Sequence, residues 1–107
     1  MRIIIISGCS AGVAHSKMIT AALRKELESR QFEVAVEEHG GWGSPKRIDS
    51  EFIRTADLVI LVTAIRIMGM ERFQHLPIYK EEVHKALMNP KETVDKALEM
   101  LQNVKKE

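Results

Sequence analysis

Cys9 is the only cysteine in the chain, and it sits among small residues: Ser7-Gly8-Cys9-Ser10-Ala11-Gly12-Val13-Ala14. A thiol placed where a buried strand gives way to a helix meets inward-pointing backbone N–H groups. It also meets the partial positive charge, about half a unit, of the helix start. Both favour the thiolate and make it a nucleophile. The same donors would hold a phosphate, so the pattern suits attack on phosphorus followed by retention of the phosphoryl group. The competing reading is a buried structural cysteine at a strand end. The small-residue loop shifts the balance toward chemistry.

What is missing narrows the chemistry. A cysteine phosphatase with this strand–loop–helix arrangement needs an arginine at Cys-x5-Arg, and His15 stands there instead. Without that planar bidentate donor the loop suits a carrier better than a hydrolase. No Gly-Lys-Ser/Thr follows the loop, which excludes a Walker-type nucleotide site. His15 either reaches a bound phosphate or packs against the helix start. Ser16 reads as a residue satisfying backbone N–H groups in the first helical turn. His39, His75 and His84 show no metal-ligand spacing, and no metal or cofactor is expected.

The elements that must position Cys9 follow from the pattern. Ile3-Ile4-Ile5-Ile6 and Leu58-Val59-Ile60-Leu61-Val62 are short, continuous and rich in β-branched residues, as strands buried on both faces are. Between them, helical periodicity runs from about His15 to Arg30, and Phe32–Val36 reads as a strand. Asp49 or Ser50 caps a short helix holding Phe52 and Ile53. Thr63 to Phe73 reads as a long loop. Leu76–Tyr79 reads as a fourth, edge strand, because proline is tolerated there. Val83 and Leu87 mark a helix. Asn89-Pro90 with Glu92 opens another through a capping box. Alternating strands and helices predict an α/β fold: a single domain over residues 1–107. Its open parallel sheet has about four strands, with helices on both faces. Ligands in such folds bind beyond the carboxyl ends of the strands, where strand order reverses. Residues 8–16 would lie there if the first strand is central.

Composition agrees with one ordinary domain. The chain has 107 residues, 45% hydrophobic and 29% charged, with a formal charge of +1. That near-balance argues against a nucleic-acid or anionic-membrane partner. A lone cysteine excludes an internal disulfide. No apolar run approaches the ~20 residues of a membrane span, and the four opening isoleucines are too few for a signal sequence. The expectation is a cytoplasmic protein that does not itself enter the membrane.

The loop Cys9-Ser10-Ala11-Gly12-Val13-Ala14-His15-Ser16 resembles the active loop of fructose-type enzyme IIB domains of the bacterial phosphoenolpyruvate-dependent sugar phosphotransferase system. Those domains typically read Cys-Pro-Thr-Gly-Ile-Ala-His-Thr. Val36–Gly43, Ala56–Leu61, Glu71-Arg72-Phe73 and Pro77-Ile78-Tyr79 are similar to later segments of the family, in order and with similar spacing. The resemblance implies a phosphocarrier. A IIA phosphohistidine would donate to Cys9, and the phosphocysteine would then phosphorylate fructose or a fructose-like sugar held by a membrane IIC component. Ser10, Ala11, Gly12, Val13, Ala14, His15 and Ser16 match the phosphate cradle, and peripheral attachment to the inner membrane through IIC is implied. Ser10 and Ala11 replace the family's Pro-Thr, His39 its usual Gln, and Ala64 a frequent Asp. These departures fit a fructose-like paralogue. They also keep open a second class, a regulatory or binding module that has lost the relay. A redox-sensing thiol, a third class, would need an intermolecular partner. The loops after the second and third strands carry the candidate docking residues Trp42, Arg66, Met68, Met70 and Arg72.

Overall fold

The isoleucine run forms the central strand. β1 (Arg2–Gly8) pairs with β2 (Glu33–His39) on one side and with β3 (Leu58–Thr63) on the other, and β4 (Ile78–Glu81) completes the sheet beyond β3. The order is β2-β1-β3-β4 and every pairing is parallel. This computed structural model describes all residues except 9–12, 40–46, 64–66, 68 and 107, and the backbone only of 13–16, 105 and 106.

Alternation along β1 feeds two cores. Ile3 and Ile5 face α1 (Val13–Ser29), α3 (Val83–Met88) and α4 (Pro90–Lys106), where Ile19, Leu23, Leu27, Ala86, Val94 and Ala97 are buried. Ile4 and Ile6 face α2 (Ser50–Thr55) and meet Ile48, Ile53, Ile67 and Phe73. All four isoleucines are fully buried, each contributing roughly 1.5–3 kcal/mol. Helices therefore cover both faces of a four-stranded parallel sheet, as the sequence predicts.

Most elements run a residue or two beyond or short of the sequence-based expectation, and the larger differences have local reasons. β2 starts one residue later and runs three residues further, because Glu37 is buried and paired instead of marking the strand's exit. Phe32 belongs to the end of α1: its N–H bonds to Leu27 C=O, and the N–H of Gln31 bonds to Glu28 C=O. That is a Schellman termination with Gln31 in the left-handed region at φ 66°. Thr63 ends β3 instead of opening the expected loop to Phe73, and that loop contains a 3-10 helix at Met70–Phe73, too short to show a period in sequence. β4 begins after Pro77, whose carbonyl accepts from Val59 N–H. The edge strand thus takes the proline's acceptor and needs no donor from it.

The capping box is present with one change. Asn89 Oδ1 accepts from Glu92 N–H at 3.2 Å, while Asn89 Nδ2 donates to the Glu92 carboxylate at 3.2 Å. The backbone N–H of Asn89 is already committed to Lys85 C=O, which closes α3, so Glu92 takes the side-chain amide instead.

Candidate active site

The chain leaves β1 toward β2 on one side and returns to β3 on the other. The strand order therefore reverses at the carboxyl end of β1. Gly8, the last residue of that strand, lies between His39 of β2 and Thr63 of β3. Cys9 follows Gly8 in the chain, and α1 begins at Val13. Cys9, Ser10, Ala11 and Gly12 lie outside the described residues, as do the side chains of Val13, Ala14, His15 and Ser16. The described surroundings are β1 and the body of α1. There the Ser7 and Thr20 hydroxyls, both buried, meet at 3.1 Å and tie the end of the strand to the helix.

Of the docking candidates, Trp42, Arg66 and Met68 also lie outside the described residues. Met70 and Arg72 share the 3-10 helix. Met70 is half-buried against the second core. Arg72 turns its guanidinium onto Glu37, with Nη1 donating to Oε1 at 3.0 Å and Nη2 to Oε2 at 2.8 Å. Its Nε donates to Gly69 C=O at 2.7 Å, and the guanidinium lies over the Phe73 ring, 4.6 Å from its centre.

Glu37 is the residue sequence reasoning passed over. It is 0% exposed. His39 Nε2 lies 2.7 Å from Oε2, and Ile48 N–H donates to Oε1 at 3.3 Å. Four contacts occupy the four acceptor positions of one carboxylate, which has no proton to give, so His39 Nε2 is the donor. Burial pushes this carboxyl up. The hydrogen bonds from Arg72, His39 and Ile48 outweigh that and hold it at about 2. The same partnership raises the Arg72 guanidinium against its own burial. A signal was present: Glu37 and Arg72 fall in two segments that match the family separately, and nothing in the sequence says they touch.

A groove of about 600 Å³ runs along the outer edge of β2, between Arg24, Val36, Arg47 and Phe52. It follows the strand edge instead of the end of β1. Among the described residues, no three His, Cys, Asp or Glu side chains group as a metal site requires. Nor, among them, is any helix long and apolar enough to cross a membrane.

Comparison with known proteins gives a consistent set. The family described as "PTS system, Lactose/Cellobiose specific IIB subunit" matches residues 4–96. The fructose-like EIIB component 3 of the PTS system of Escherichia coli K12 is 29% identical over 99 residues, covering 92% of this chain and 88% of that protein. The fructose-like PTS system EIIBC component of the same strain is 36% identical over 91 residues, 83% of this chain; the match spans only 19% of that longer protein. The crystal structure of a "Predicted Fructose Specific IIB" from Escherichia coli superposes with a TM-score of 0.84 at 28% identity, covering 94% of this chain and 88% of that one.

Proposed function

Because this chain belongs to the IIB family of the PTS phosphotransferase system, with fructose-like components among its relatives, we propose that it is a phosphocarrier whose relay atom is the Cys9 sulfur. The thiolate attacks the phosphorus of a IIA phosphohistidine in line. The S–P bond forms, the N–P bond breaks, and the imidazole leaves with the bonding pair. A sugar hydroxyl then attacks the same phosphorus. The S–P bond breaks, the hydroxyl proton passes to solvent or a base on the acceptor side, and the thiolate is regenerated. Backbone N–H groups of Ser10 through Ser16 neutralise the non-bridging oxygens in both steps.

The observation that carries this reading is the place of β1. It is a central strand at the reversal of strand order, ending at Gly8 directly before Cys9, with a helix beginning at Val13. The whole domain, residues 1–107, acts as one carrier unit. The relative that carries EIIB and EIIC in one name supports a membrane IIC acceptor. Through it this domain would work at the inner membrane's cytoplasmic side. Trp42, Arg66 and Met68, with Met70 at the start of the 3-10 helix, belong to the segments after β2 and β3 that would frame the docking face, and the sugar would be fructose-like.

The test is label transfer. Phosphoryl groups from phosphoenolpyruvate, passed through the general phosphotransferase proteins and a fructose-type IIA, should end on Cys9. A folded Cys9→Ser variant should accept none. Label on that variant, or none on the wild-type protein, refutes the reading.

A further inference from the structure

Glu37 connects three parts of the chain, one of them 35 residues away in sequence. His39 is at the end of β2, Ile48 follows the segment after β2, and Arg72 follows the segment after β3. Arg72 extends the connection to Gly69 through its Nε. The cluster is also next to the strand that leads into Cys9: Glu37 pairs with Ile6 and His39 with Gly8. Geometry therefore links both loop-bearing regions to the carboxyl end of β1 through one buried carboxylate.

We propose that Glu37 and Arg72 form a positioning pair for phosphoryl transfer, holding the 3-10 helix and the end of β2 beside the strand that leads into Cys9 so that a donor meets the thiolate in register. The inference rests on the carrier reading and adds a role to two residues that do not touch the phosphoryl group. Arg72 then acts through its fork, not as a free charge for a partner. Lysine cannot replace it. An ammonium can neutralise Glu37, but it cannot hold both carboxylate oxygens and the Gly69 carbonyl in one plane.

The experiment compares wild-type protein with Arg72→Lys and Glu37→Gln, each at a temperature where circular dichroism shows it folded. Transfer from phosphorylated IIA is followed by rapid quench over a range of IIA concentrations. In both variants the limiting rate should fall by about tenfold or more, as small misplacements of reacting groups do. The IIA concentration for half-maximal rate should stay within about twofold. Amide exchange is read on the same samples. The Ile48 N–H, which bonds Glu37 directly, should exchange faster in Glu37→Gln by a factor at least about tenfold larger than that of the α4 amides, which report only the variant's lower global stability.

An unchanged limiting rate in the folded Arg72→Lys protein overturns the proposal. So does a change confined to the half-maximal concentration, which would make Arg72 a docking residue. Uniformly faster exchange, α4 included, overturns it in favour of a general stability role. If the wild-type protein accepts no label, the carrier reading fails and takes the rate effect with it; Ile48 exchange then decides separately whether the pair holds the chain in place.

Discussion

Acid should expose the contribution of Glu37, and replacing it should remove the response. Its carboxyl is held at about 2 against an ordinary 4.5. A carboxyl lowered on folding stabilises the protein above the unfolded value and loses that contribution as pH falls from about 4.5 toward 2. The gap corresponds to about 3 kcal/mol, a large fraction of the roughly 5–15 kcal/mol that holds a domain together. Glu37→Gln keeps the shape but gives up the charge and one strong acceptor. The variant should therefore be about 3 kcal/mol less stable than wild type at pH 7, close to what removing one partner of a buried ion pair costs. Urea unfolding followed by circular dichroism at pH 7, 5, 4 and 3 measures the difference. With a slope of about 1–3 kcal/mol per molar urea, the midpoint gap at pH 7 should be about 1–3 M. It should narrow steadily below pH 4.5 as wild type descends toward the variant. A gap of the same size at pH 3 as at pH 7 would refute the argument, because the cost would then come from packing and not from the ionised carboxylate.

Gln31→Gly should raise stability by about 0.5–1 kcal/mol in thermal unfolding, because Gln31 sits at φ 66° in the Schellman turn, where glycine carries no side-chain penalty. Gly69→Ala should lower it by about 1–2 kcal/mol: Gly69 has φ 80°, and a Cβ there would come within 2.8 Å of the Arg47 guanidinium and 3.3 Å of Arg72 Nε. Asn89→Ala should cost about 0.5–2 kcal/mol through loss of the α4 cap, and Asn89→Asp should retain most of that stability in the same melt.

The strands with continuous apolar runs were legible because burial on both faces leaves no room for alternation. Ile3–Ile6 and Leu58–Val62 both proved to be interior strands of the sheet. The apolar stripe of α4 and the Asn89–Glu92 cap were legible because they are local in sequence. Glu37 was not. A glutamate in a strand ordinarily faces water, and the arginine that makes its burial tolerable is 35 positions away. The 3-10 helix shared that obscurity, since four residues carry no period and its anchor, the fully buried Phe73, is a single aromatic in an apparent loop. Arg72 illustrates the limit for the candidate site. Its loop position suggested a charge for a partner, and only the fold reveals that its fork closes on Glu37. Cys9 was singled out from its small neighbours, its place between a strand and a helix, and the resemblance of its loop, and it lies outside the described residues.

A strand made of four identical side chains cannot tell its two faces apart. Sliding Ile3–Ile6 by one residue would still present isoleucine to both cores, so hydrophobicity alone does not hold β1 in place. The strand's ends must do that. At the start, Arg2 N–H donates to the Asp57 carboxylate at 2.9 Å, Asp57 N–H donates to Arg2 C=O at 2.8 Å, and the Arg2 guanidinium reaches Glu33 and Thr55. At the far end, the buried Ser7 hydroxyl meets the Thr20 hydroxyl at 3.1 Å. A slip would bury a charged or unpaired group at one end or the other. It would also carry Gly8, the end of the strand, about 3.3 Å along the sheet. The polar residues flanking a featureless run thus act as a vernier, and what they calibrate is where β1 ends, at Gly8.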